Sequence, residues 1–116
     1  MIYNIYFSPT GSTQKVTSFL ANQINTCTDV DLSLPKNNFS INIGKDDFCI
    51  VGVPSFGGRV PDIAIKRLSQ LKGHQTPVLA VVTYGNRAYE DTLLELKETL
   101  EQQGFICIAA IACVAE

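Results

Sequence analysis

The chain has 116 residues, 46% of them hydrophobic, with nine basic and eleven acidic side chains and a formal net charge of -2. That length makes one domain, burying roughly two-thirds of its unfolded surface, and the scattered basic residues exclude the charge footprint of a nucleic-acid or anionic-membrane binder. The longest apolar run, residues 105–115, is too short to span a bilayer and no basic segment precedes an apolar one at the N-terminus, so a cytoplasmic location is expected.

The first apolar run, residues 2–7, reads as a strand and leads into Ser8-Pro9-Thr10-Gly11-Ser12-Thr13. A helix follows from near Ser12, with Val16, Phe19, Leu20 and Ile24 on one face. A helix start leaves backbone N–H groups unpaired and carries the positive end of the dipole, Gly11 permits close approach, and the hydroxyls add donors. Such a loop suits a phosphate, although Ser and Thr are equally ordinary caps of a helix. It has no lysine, and the GxxxxGK[ST] pattern of a triphosphate site is missing, so a terminal monoester phosphate fits better than ATP or GTP.

Val30, Leu32 and Leu34 alternate with polar residues, as in an outer strand, and Pro35 ends it. Residues 36–47 read as a connection, partly extended because Phe39, Ile41 and Ile43 alternate. A strand at 48–53 leads into Pro54-Ser55-Phe56-Gly57-Gly58-Arg59-Val60-Pro61. The second helix opens at Pro61 and turns Ala64, Leu68 and Leu71 inward; His74, after Gly73, marks a helix end rather than a general base. A strand at 77–83 runs into Thr83-Tyr84-Gly85-Asn86-Arg87-Ala88-Tyr89, and a third helix carrying Leu93, Leu96 and Leu100 ends at Gly104 before a last strand at 105–114. The four cysteines, Cys27, Cys49, Cys107 and Cys113, form no CxxC pair and three lie in strand runs, so they read as buried thiols rather than metal ligands or a disulfide framework.

Strands alternating with helices predict an α/β parallel sheet, whose right-handed crossovers place ligand loops at the carboxyl ends of the strands. Three loops then converge on one crevice, the first offering phosphate donors and the others Phe56, Tyr84 and Tyr89 beside glycine turns. A planar aromatic ligand with a phosphate tail suits that combination, and flavin mononucleotide (FMN) answers to it. Other uses of such a fold lack their residues. A phosphorelay receiver needs acids where this chain has Tyr6-Phe7-Ser8 and Val53-Pro54-Ser55, no cysteine is followed six residues later by the arginine of a cysteine phosphatase, and the GxGxxG of a nicotinamide site is missing.

In these loops the chain resembles the flavodoxin family, and the runs VPSFGGRVP and TYGNRAYED look most like the flavodoxin-like domains that precede a ferredoxin module in some anaerobe flavoproteins. The resemblance spans essentially the whole chain. It implies a flavodoxin-like three-layer fold with a five-stranded parallel sheet in the order 2-1-3-4-5. By it, Ser8, Thr10, Gly11, Ser12 and Thr13 would bind phosphate. Pro54, Ser55, Phe56, Gly57, Gly58, Thr83, Tyr84, Gly85, Asn86 and Tyr89 would line the ring. The family's final helix is expected to be missing, because the chain stops at Glu116 about where the fifth strand ends; that would leave one sheet face thinly covered and suggests a truncated chain or a partner that supplies the cover. The cluster-binding cysteines of the fused module are also missing, so the implied redox partner, possibly ferredoxin-like, is another polypeptide or an absent region.

With FMN bound, the cofactor carries the chemistry and electron transfer is the default expectation. A cation at Arg59 or Arg87, in the two ring loops, would favour the reduced flavin, unless both arginines are solvated or pair with Asp62, Glu90 or Asp91. Two rival readings stand beside the carrier: an NAD(P)H-dependent FMN or quinone reductase, and a flavin-free domain of the same fold used for binding.

Overall fold

The computed structural model describes residues 1–34, 39, 41–85 and 90–114, without the side chains of residues 42 and 90. The expected strand end at Pro35 and the expected contributions of Asn86, Arg87 and Tyr89 lie outside the described residues. In chain order the elements are β1 (Ile2–Tyr6), α1 (Ser12–Asn22), β2 (Thr28–Asp31), β3 (Ile41–Asn42), β4 (Phe48–Pro54), α2 (Asp62–Leu68), β5 (Leu71–Lys72), β6 (Thr76–Tyr84), α3 (Glu90–Gln102) and β7 (Phe105–Val114).

Five strands form one parallel sheet in the order β2-β1-β4-β6-β7, which is 2-1-3-4-5 when only the strands of this sheet are counted. β4 lies two strands from one edge and is buried at Cys49 to Val53, as a near-continuous apolar run should be when both faces are covered. β3 and β5 pair separately, in parallel, and this is where the extended connection ends. Phe39 and Ile43 from that connection enter the core, and the expected inward Leu71 is buried on β5, beyond the end of α2.

The larger core lies on the side of α2 and α3, where Ala64, Leu68, Leu96 and Leu100 pack on Ile5, Val51, Val53, Val78, Ala80 and Val82. The smaller one lies under α1 and centres on Ala21, Ile50 and Val81. Here the structure corrects the expected stripe of α1. Thr13, Thr17 and Ala21 face the sheet, Val16 and Leu20 are half-buried, and Phe19 and Ile24 are exposed. The reason is Gly52 on β4: a side chain there would overlap the Thr17 methyl and stand 3.0 Å from that of Thr13, so the helix lies too close to the sheet for large residues between them.

Of the cysteines only Cys49 is buried, and burial pushes its thiol up to about 12; Cys27, Cys107 and Cys113 are half-buried. His74 is tied to the connection through its ring, whose Nδ1–H donates to the Ile43 carbonyl at 2.9 Å. Among the described residues no helix is long and apolar enough to cross a membrane.

Candidate functional site

From β1 the chain passes over α1 to β2 on one side, then returns to β4 on the other, so the order reverses beside β1 and a crevice opens at the carboxyl ends of β1 and β4. The first loop sits there. Gly11, at φ 90°, occupies the residue before α1 in a left-handed conformation open to a glycine. Its N–H donates to the Ser8 carbonyl at 3.2 Å and its own carbonyl accepts from the Lys15 N–H at 3.2 Å.

Ser8 is already engaged: its Oγ caps the helix by accepting the Gln14 N–H at 3.0 Å, and its N–H donates to Ser33 Oγ. What remains at the helix start is a set of backbone N–H groups, on Thr10, Ser12 and Thr13, with no acceptor among the described residues. They sit at the positive end of an eleven-residue helix.

The second loop is a tight two-residue hairpin. Phe56 and Arg59 exchange backbone hydrogen bonds of 2.9 and 3.1 Å across Gly57 and Gly58, whose φ values of 60° and 80° are those of a type I′ turn. A side chain added at either glycine would meet no atom within 4 Å, so the glycines answer to backbone conformation, not to crowding. The turn leaves Phe56 52% exposed, a large apolar ring standing at the crevice rather than packed beneath a loop.

The second loop is pinned from below by long-range bonds. The Ser55 N–H donates to the Thr83 carbonyl at 2.8 Å, and the Ser55 and Thr92 hydroxyls are 2.7 Å apart. Glu95 accepts from Arg59 Nη2 at 2.8 Å and from the Val60 N–H at 2.9 Å, and the Arg59 bond is the first cause holding its carboxyl below the usual range. Arg59 is therefore directed at α3, and its expected place beside a ring is corrected. Thr92 and Glu95 stand three apart on one face of α3, so a single helix face anchors the second loop.

The cleft is lined by Pro9, Thr10, Ser12, Thr13, Pro54, Ser55, Phe56, Thr83, Tyr84 and Gly85, which join all three strand ends. Of the expected site residues, Ser8, Gly11, Gly57 and Gly58 shape its loops without lining it. Sequence reasoning missed Pro9, although it lies inside the quoted motif, and missed Thr92 and Glu95, for which the only local signal is their spacing. Among the described residues no lysine or arginine lines the cleft, and those that do would meet an anion with N–H dipoles and hydroxyls.

No protein-family model and no curated protein matches the chain. Solved structures do. A flavoprotein of Lactobacillus acidophilus in complex with FMN is 12% identical, with a TM-score of 0.65 over 96% of this chain and 91% of that one. The two-electron reduced flavodoxin of Megasphaera elsdenii is 17% identical, with a TM-score of 0.61 over 97% and 85%. A protein of Bacteroides eggerthii described as a flavoprotein gives 17% and 0.60 over 97% and 86%. This is a flavodoxin fold. In a flavodoxin fold the crevice at the strand-order reversal is where the three loops of this chain meet, and the most distant pairing among them, Thr13 with Thr83, closes at 2.8 Å.

Proposed function

We propose that the chain binds FMN in this cleft and works as an electron-transfer domain. The observation that carries the reading is the set of three unpaired N–H groups at the start of α1, opening into the same cleft as Phe56 and Tyr84. A dianionic monoester phosphate answers the first feature and a planar ring the second. The residues present fit the group: Thr10, Ser12 and Thr13 would hold the phosphate, and Pro54, Ser55, Phe56, Tyr84 and Gly85 would meet the ring. The acidophilus neighbour, solved with FMN, supports the same choice.

Bound there, the flavin supplies one- and two-electron redox chemistry. The chain's part is to hold the phosphate by dipoles and hydroxyls, to offer aromatic faces, and to keep the second loop rigid through Ser55–Thr92 and Arg59–Glu95. The partner is a redox protein, ferredoxin-like by the likeness of the VPSFGGRVP and TYGNRAYED runs to domains that precede a ferredoxin module, and the setting is cytoplasmic.

The absorption spectrum of the purified protein, before and after adding FMN and dialysing, tests the reading. Retained flavin bands are expected; a protein that stays colourless overturns it in favour of a flavin-free binding domain. Steady NADPH oxidation with a quinone or free FMN as acceptor would replace the carrier with a reductase.

A further inference from the structure

Thr13, on the first turn of α1, and Thr83, at the end of β6, are 70 residues apart in sequence, yet their hydroxyl oxygens stand 2.8 Å apart. Both side chains are almost sealed, at 2% and 3% exposed, and both line the cleft. Thr83 is fixed by its place in the sheet, opposite Pro54, and by the Ser55 N–H on its carbonyl. Thr13 is brought to it by the close seating of α1 over Gly52. The pair is thus made by the packing of two rigid elements, in a dry setting where hydroxyl bonds polarise one another.

Two hydroxyls carry two protons, and one of them lies between the oxygens. If Thr13 donates, it has no proton left for a ligand. If Thr83 donates, Thr13 accepts and its own proton is free to point at an anion at the helix start. We propose that Thr83 is a positioning residue of the phosphate site: it donates to Thr13 Oγ1 and so turns the Thr13 hydroxyl into a donor for the phosphate. The inference rests on the FMN reading and changes the role of Thr83 from lining the ring to completing the phosphate cradle. A negative charge at the N–H cluster of Thr10, Ser12 and Thr13 selects this direction of the pair, since the opposite one would turn a lone pair toward it.

Affinities for FMN and for riboflavin, which lacks the phosphate, separate this from a structural role. Thr83→Ser and Thr83→Ala lose the same methyl and differ only in the hydroxyl. The parent and Thr83→Ser are expected to prefer FMN to the same degree. Thr83→Ala and the isosteric Thr83→Val should weaken FMN binding about tenfold, the scale of one hydrogen bond to a charged group, while riboflavin binding changes less than about twofold. If one of these two variants melts below the assay temperature, the other carries the comparison with Thr83→Ser.

Equal FMN preference in Thr83→Ser and Thr83→Ala overturns the proposal and leaves the FMN reading standing, as does a loss shared equally by riboflavin. A parent chain that binds both flavins equally removes the phosphate cradle and this proposal with it. A parent that binds neither overturns the flavin reading itself.

Discussion

Glu95 shows how one side chain can hold a functional loop. Its two oxygens accept separately, one from the Arg59 guanidinium and one from the Val60 N–H, so the loop after β4 is fixed at both side chain and backbone. These bonds favour the ionised form, the Arg59 bond first, and the carboxyl titrates below its ordinary 4.5. A carboxylate depressed in the folded state adds stability above its unfolded pKa and loses it as pH falls through the folded one. Glu95→Gln removes the charge and turns one of the two acceptor oxygens into an NH2 donor, so it keeps one of the two bonds. It is expected to lower the melting temperature modestly at pH 7, and less in high salt, because the Arg59 head is exposed. The gap from the parent should close as the pH is taken below 4.5. Melting curves across that range check it, and a gap that does not change with pH would show that the carboxylate charge has no part in holding the loop.

At the scale of elements, α1 is held by its small residues. Thr13, Thr17 and Ala21 meet the sheet where Gly52 offers no side chain, and this close seating places the first turn at the cleft. Gly52→Ala should lift the helix and cost about 1–3 kcal/mol, as overpacking does in tight cores. Adding Thr17→Ala removes the methyl that the new side chain would strike, so the double variant should recover a large part of that loss in urea unfolding. Strict additivity of the two losses would mean that the helix is not seated on Gly52 at all. The same element explains what the sequence concealed. The order of strands and helices was legible because hydrophobic period and turn residues are local, and the gathering of three loops followed from the right-handed crossover rule. The inward face of α1 was not, since a stripe of Val16, Phe19, Leu20 and Ile24 assumes that the largest apolar residues point at the core, and Gly52 on a strand distant in sequence decides otherwise. Thr13–Thr83 and Ser55–Thr92 were hidden for the same reason: each hydroxyl looks like an ordinary cap or turn residue until the partner strand or helix is in place. Arg59 had acids on every side, and only the geometry selects Glu95.

The whole molecule is covered unevenly. α2 and α3 close one face of the sheet, while the other carries α1 alone among the described residues, with its smaller core on β4 and β6. The consequence falls on β7, an edge strand of ten residues without a charge or a proline, exposed at Ile106, Ile108 and Val114. Edge strands are ordinarily blunted by charges, prolines or bulges, because their free N–H and C=O groups template further pairing. Here the described protection is the register shift at Val78 and Leu79, where Cys107 and Ala109 are the paired residues and Ile108 is left out of register. Ile108 is 60% exposed, so it gives the fold little burial while adding an apolar surface to an open edge. Ile108→Lys is therefore expected to change unfolding stability by less than about 0.5 kcal/mol and to slow concentration-dependent association, followed by light scattering on slow heating. Lower stability with unchanged scattering would instead place Ile108 in the packing of the fold and move the source of association away from β7.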